Sequence, residues 1–395
     1  MKISLLLEKF RNHGYTLPQS LAELADNSIT FNAKNIWIYM YWSDDLGKNS
    51  FVMVVDDGDG MNENELLNKA LTIPKEDHVD RGEGDLSRFG LGLKTGSFEH
   101  CRSITVITKK DKIIKKTLNF KDGLTDEMPS CFNHKFIKKH LNNFEKKNSG
   151  TIILWSDLDR ISRIQAIDRA ANFYSDYDKS RKHFKLIYHK FFLDDKINIY
   201  FGGNENHNKT KTFDPFYKEN EKTIKLQDAE ISFFKGGTTI LKPWIIPQDT
   251  GKENLNFSKN ELQGLYFFRR KRLIDYGGWF EIGDKHTDKF WSSTDRFNRL
   301  RIEVELPLEN DDLWITYSKN KITIPKFAIS KFRKHLIQIR KDYLEKIGRM
   351  HDDVESAEPV NETFRKKKEL IKMLKSKIFT DEELSKIEAS IKEIK

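Results

Sequence analysis

Apolar residues recur at helical spacing through residues 17–31, where Leu21, Leu24, Ala25 and Ile29 share one stripe and Pro18 suits a first turn. That predicts a helix. The pattern then shortens to strand-like runs at 35–42 and 51–55, rich in β-branched residues, the second running into the turn cluster Asp56-Asp57-Gly58-Asp59-Gly60. Residues 62–71 return to a helical period, residues 74–89 are polar and glycine-containing and predict a mobile loop, and residues 90–100 open another helix. Residues 103–110 and 112–120 alternate as the two arms of a hairpin, and 150–158 predict a further strand.

A second segment begins near Asp159, with a helical stretch through Lys190 and a strand at 196–203. Short strands separated by turn clusters follow, up to 302–307 and 315–325. From Lys326 the period is helical again, with Phe332, Leu336, Ile339, Tyr343 and Ile347 spaced to share a face. Residues 358–363 interrupt it before a final charged helix near 362–395. The chain carries no internal repeat and no low-complexity segment.

Composition narrows the classes. With 395 residues, 37% hydrophobic and 28 Phe, the chain has enough apolar mass for two or three packed domains, which excludes wholesale disorder. Its apolar runs are strand-sized, well short of the roughly 18 residues a membrane helix needs, and the amino-terminal apolar patch lacks a cleavage site. The expectation is a cytoplasmic protein without a membrane partner. Cys101 and Cys131 make neither a disulfide framework nor a zinc pattern. The balance of 69 Lys plus Arg against 60 Asp plus Glu, a net +9, is compatible with a polyanionic partner, although both signs are mixed along the chain.

Four separated blocks carry candidate chemistry. Glu23 and Asn27 are four residues apart on the first predicted helix, so they share a face, where a carboxylate can activate water and an amide oxygen can bind a divalent cation. Asp56 ends an apolar strand as an acceptor for an exocyclic amine, and Gly58 and Gly60 let backbone approach a flat ligand, with Met61 beside them. Gly82, Gly84 and then Gly90, Gly92, Leu93 and Lys94 open a helix with free N–H groups and a lysine suited to phosphate. Thr151 starts the strand at 151–155 with a hydroxyl able to reach a base through water. Taken singly, each has an ordinary reading as a solvated helix face, an acidic turn or a glycine loop. His134, His140, His183, His189 and His207 lack metal-ligand spacing. The basic stretches at 180–185, 267–272 and 365–368 are candidates for phosphate or partner contact, with strand structure or a solvated helix as the alternative.

In this order the blocks resemble the GHKL ATPase superfamily, the group of DNA gyrase, MutL, histidine kinases and heat-shock chaperones, and within it most nearly the Morc-like ATPases and their bacterial relatives. The segments ELADNSITFNAKNIWI, DDGDGM, RFGLGLKTGSF and GTIILW look like that branch, as does YFFRRKRLIDYGGW downstream. The resemblance implies an α/β fold: a two-layer α/β sandwich (Bergerat ATPase fold) over 1–158 with an ATP lid at about 62–93. A ribosomal-protein-S5-like α/β transducer over 159–330 and a helical, charged tail over 331–395 would follow. By the same resemblance Glu23 is the general base and Asn27 holds Mg²⁺. Asp56 takes the adenine amine; Gly58, Gly60 and Met61 line the adenine pocket; Gly90, Gly92, Leu93 and Lys94 cradle the phosphates; Thr151 supports the base contact. A transducer lysine reaching the γ-phosphate falls on Lys319, with Lys321 as its rival, because Tyr317, Asn320 and Lys321 depart from the family pattern W-x-x-D-x-K-K-S. The implied cofactors are ATP and Mg²⁺. The implied function is a slow ATPase driving an ATP-dependent homodimeric clamp on DNA or a DNA-processing protein, with a role in bacterial defence against phage or mobile DNA. The alternative is an ATP-gated scaffold that recruits an effector with little turnover.

Overall fold

The computed structural model describes residues 11, 14–43, 49–72, 92–161, 168–203, 207–233, 237–250, 258–280, 282, 295–307, 314–315 and 321–357. Helix α1, Leu17–Thr30, starts where the Gln19 side-chain oxygen accepts from the Thr16 N–H at 2.9 Å, satisfying a donor the helix cannot use itself. Just past its end Asn32 takes a left-handed conformation, φ 64°, which asparagine tolerates better than most residues.

Eight strands form the first sheet: β1 Asn35–Tyr41, β2 Phe51–Asp56, β3 Ser103–Lys109, β4 Ile113–Asn119, β5 Gly123–Thr125, β6 Gly150–Ser156, β7 Asn198–Gly202 and β8 His207–Lys209. Their order is β5-β4-β3-β6-β2-β1-β7-β8, antiparallel except for β1 and β7. Both β7 and β8 come from beyond residue 158 and extend the sheet at the β1 edge. Helix α2, Gly92–Phe98, packs against α1, as does α4, Arg169–Ile187.

The strands alternate with period two between two cores. Val52 and Val54, Ile153 and Trp155, and Ile104 and Val106 face the cluster that includes Leu21, Leu24 and Ala25 of α1, Phe98 of α2 and Phe173 and Phe184 of α4. Phe51, Met53, Val55, Ile152 and Leu154 face the opposite side. That second face is covered by α3, Lys135–Glu145, through Phe136, Ile137, Leu141 and Phe144. The sequence reading assigned no helix there, because its apolar positions lie among a dense run of lysines. With α3 in place β2 is buried at every position, which is why its sequence is a continuous apolar run rather than an alternating one. Cys101 and Cys131 are buried in different clusters, one on each side of the sheet.

The second sheet holds β9 Ile224–Lys225, β10 Ala229–Ser232, β11 Thr238–Ile245, β12 Gly264–Arg269, β13 Arg272–Tyr276 and β14 Leu300–Glu305, in the order β10-β11-β14-β12-β13 with β9 on β11. Tyr266, Phe268 and Leu273 of β12 and β13 belong to the same core cluster as α1, so the apolar interior runs without a break from one sheet to the other. A short helix α5, His189–Leu193, lies between α4 and β7 in sequence. Residues 1–333 form one compact unit, within which Phe332, near the start of helix α6 (Lys326–Ala357), meets Phe233 and Trp314. The other unit, 334–395, contains the rest of α6; the final helix predicted near 362–395 lies outside the described residues. Among the described residues no helix is long and apolar enough to cross a membrane.

Candidate active site

Nine of the fourteen residues of α1 are buried, and four of those, Ser20, Glu23, Asp26 and Ser28, are polar or charged. A packing helix has no reason to bury acids, which stay inside a fold only when partnered. Glu23 is 2% exposed, and Asn27, on the same face one turn further on, is half-buried. The Asn27 side-chain amide has no hydrogen-bond partner among the described residues.

Below α1 the sheet sets a row of polar side chains at one end. The register pairs Asp56 of β2 with Thr151 of β6, and Thr151 in turn with Thr108 of β3, so all three point to the α1 side. Asp56 Oδ1 accepts from the Gly58 and Thr151 N–H groups at 3.0 and 3.1 Å, and Oδ2 accepts from the Ser28 hydroxyl at 2.8 Å. Ser28 thereby ties the helix of Glu23 and Asn27 to the strand of Asp56. The Thr108 and Thr151 hydroxyls are 3.3 Å apart, and Thr108 Oγ1 accepts from the Met61 N–H at 2.8 Å. Burial pushes the Asp56 carboxyl up to about 6, against the pull of its three hydrogen bonds, which come from neutral donors.

The glycines after Asp56 are there for space. A Cβ on Gly58 would meet the Phe31 carbonyl oxygen at 2.5 Å, and Gly60 combines a φ of +68° with a Cβ position 1.9 Å from the Lys109 carbonyl oxygen. Asp57, at the variable position, caps the start of β1 instead, accepting from the Lys34 and Asn35 N–H groups at 2.9 and 2.8 Å. Asp59 accepts from the Asn32 amide at 2.8 Å.

Gly92 heads α2 and Leu93 is in the core. Lys94 is fully buried: its ammonium donates to the carbonyl oxygens of Thr72 at 2.7 Å, Ala70 at 3.0 Å and Lys69 at 3.5 Å. Those carbonyls end the helical segment predicted at 62–71, which is a short α-turn, Glu63–Glu65, continued as a π-helix, Leu66–Ala70. Gly82, Gly84, Gly90 and Lys319 lie outside the described residues. Lys321 is exposed, with its charge felt by Asp275 at the far end of β13. Among the described residues no group of three or more His, Cys, Asp or Glu is arranged to hold a metal.

The structure thus brings Asp56, Gly58, Met61 and Thr151 together at one end of the sheet with Gly60 packed beside them, and Glu23 and Asn27 lie on the helix that Ser28 ties to this row. Ser28 and Thr108, which complete the hydrogen-bonded row, were given no role from the sequence; Ser28 is the last residue of the block that begins at Glu23, whereas Thr108 carries no signal beyond its phase in a hairpin.

Residues 15–151 match the family model described as histidine kinase-, DNA gyrase B-, and HSP90-like ATPase. This part of the chain is therefore an ATPase domain of the GHKL type. It is related to the MORC ATPases: ATPase morc-1 of Caenorhabditis elegans is 33% identical over 117 residues, which is 29% of this chain and 13% of that protein. ATPase MORC2B of Mus musculus is 28% identical over 112 residues, 27% of this chain and 11% of that protein. The chain thus matches only about an eighth of the length of these relatives. Among solved structures, the N-terminal domain of a DNA repair protein shares the fold, with a TM-score of 0.53 over 90% of this chain and 100% of that one, at 15% identity.

Proposed function

We propose that the chain binds and slowly hydrolyses ATP in the presence of Mg²⁺, and that ATP closes two copies into a clamp. The observation that carries this reading is the burial of Glu23 on the face it shares with Asn27, on a helix whose next polar residue, Ser28, is bonded to Asp56. Asp56 is the acceptor for the adenine amine, backed by Thr151, with Gly58, Gly60 and Met61 forming the base pocket. Asn27 suits Mg²⁺, since its amide is unpartnered among the described residues and this hard cation takes a single protein oxygen when phosphates and water supply the rest. When bound, Mg²⁺ neutralises charge on the phosphates. Glu23 orients a water for in-line attack on the γ-phosphorus and receives its proton as the bond to ADP breaks. Gly90, Gly92 and Lys94 take the phosphates, which requires the Lys94 ammonium to exchange its carbonyl partners for phosphate oxygens. Lys319, or its neighbour Lys321, reaches the γ-phosphate from the transducer, residues 159–330.

The proposed partner of the clamp is DNA or a DNA-processing protein, in the cytoplasm, with defence against phage or mobile DNA as its setting. The net charge of +9 and the exposed Lys135, Lys138 and Lys139 on α3 support a polyanion. Light scattering of wild type and Glu23→Ala with Mg²⁺ and ATP or ADP tests the mechanism. A dimer formed only with ATP, persistent in the variant while phosphate release is lost, is expected. A monomer under every condition would sink the clamp and favour an ATP-gated scaffold. DNA binding is checked by titration from 50 to 200 mM salt, where a phosphate-contacting protein loses affinity steeply.

A further inference from the structure

The basic stretch Arg269-Arg270-Lys271-Arg272 is the tip of a hairpin. Arg269 and Arg272 pair across β12 and β13, and the two-residue turn between them, Arg270 and Lys271, has φ of 50° and 73°. Such a turn is normally built from asparagine and glycine, which enter the left-handed region at less cost. The strained tip aims Arg272 inward. Its side chain is only 6% exposed, and Nε donates to Asp26 Oδ1 at 2.8 Å and sits 2.7 Å from Oδ2. The Tyr188 hydroxyl, at the end of α4, lies 2.7 Å from the same Oδ1 and 3.0 Å from the Ala22 carbonyl oxygen. Lys271 pairs with Asp194, fixing the tip beside the end of α5.

Asp26 is three residues after Glu23, a neighbour on the same side of the helix, so a chain segment 246 residues away grips α1 beside Glu23, whose charge Arg272 also feels. Elsewhere α1 is held by Ser28 to Asp56 and by Ser20, whose Oγ is 2.9 Å from His100 Nε2. Burial alone would lower the Arg272 pKa, but Asp26, with Tyr188 and Glu23, holds it above its ordinary value. Burial and the Arg272 charge push His183 down to about 3, leaving the guanidinium without a competing imidazolium.

We propose that Arg272 is a positioning residue for hydrolysis: through Asp26 it sets the rotation of α1 that aims the Glu23 carboxylate, so the β12–β13 hairpin is where the second sheet governs turnover. The inference rests on the reading of Glu23 as the group that orients water. Side-chain tips lie about 5–6 Å from a helix axis, so a turn of roughly 10° displaces a carboxylate by about 1 Å, a shift worth about a hundredfold in rate.

The test is the paired replacement Asp26→Leu/Arg272→Met, which removes both charges and leaves neither buried alone, with Arg272→Lys as the conservative variant should the pair not fold. Three quantities are read on the full chain with Mg²⁺: melting temperature, Kd for the fluorescent N-methylanthraniloyl ATP, and kcat for phosphate release. The expected result is a melting temperature within a few degrees of wild type, Kd within about twofold, and kcat lower by about tenfold or more. Arg272→Lys should fall between wild type and the pair in kcat, again with Kd unchanged. Wild-type kcat in both the folded pair and Arg272→Lys, or kcat and Kd changing by the same factor, would overturn the proposal. Absence of turnover in wild type would instead bring down the ATPase reading, and this inference with it.

Discussion

Asp56 and Asp26 are both buried aspartates, joined to the same helix or on it, and they are held in opposite ways. Asp56 has three neutral donors, two backbone N–H groups and the Ser28 hydroxyl, and burial pushes it up to about 6. Asp26 has a guanidinium and a phenol. A carboxylate stabilised only by dipoles keeps a titratable charge for which an incoming amine is a natural partner, whereas one neutralised by arginine has been committed to holding the fold. The same residue type thus sits among neutral donors at the end of β2, where we propose that it meets the base, and in an ion pair on α1.

Breaking the committed pair has the largest expected effect. Arg272→Ala leaves the Asp26 charge buried without its counter-ion and should cost about 3–5 kcal/mol in urea unfolding. Asp56 should behave differently. Its folded pKa of about 6 exceeds the ordinary 3.8, so between those values the native state binds more protons than the unfolded one and stability falls as pH rises. The full cost, about 2–3 kcal/mol from roughly 1.4 kcal/mol per unit, is present above pH 6. Asp56→Asn should abolish that slope and raise stability at pH 7 while weakening ATP binding; wild-type affinity for ATP should itself decline as pH drops through about 6. Unfolding and nucleotide titrations at pH 4 to 8 check both.

Gly60→Ala probes the backbone beside Asp56 rather than its charge, and the left-handed φ with the overlap on Lys109 predicts a loss of about 2 kcal/mol. The smallest effect is expected from Lys147, whose ammonium lies 4.1 Å from the centre of the Trp37 ring and feels Asp57 and Asp56. Lys147→Met should cost about 0.5–1 kcal/mol in thermal unfolding, against the larger losses at Arg272.

Six of the eight strands of the first sheet, all but the three-residue β5 and β8, were legible because their signals are local. The change of period from α1 to β1, the β-branched run of β2 and the paired alternation of β3 and β4 each depend on neighbours a few residues away. The hidden helix α3 was not, since its four apolar anchors are spread among lysines and asparagines and gain meaning only from the sheet face they cover. At the site, the blocks around Glu23, Asp56 and Thr151 could be read individually as ordinary surface chemistry. Only their order along the chain suggested a common ligand.

What the sequence by itself determined, then, is most of the succession of elements and the residue types at the α1 end of the sheet, because periodicity, turn residues and helix spacing act over short range. The tertiary structure alone decided that Thr108 and Thr151 line up with Asp56, that Lys94 rests on the carbonyls of Ala70 and Thr72, and that Arg272 pairs with Asp26 within reach of the Glu23 charge. These pairings join residues 22 to 246 positions apart, and they exist because strand register and the shared core bring distant segments to one place. A charge at the start of a strand looks the same in sequence whether it faces water or a buried carboxylate; only packing distinguishes them.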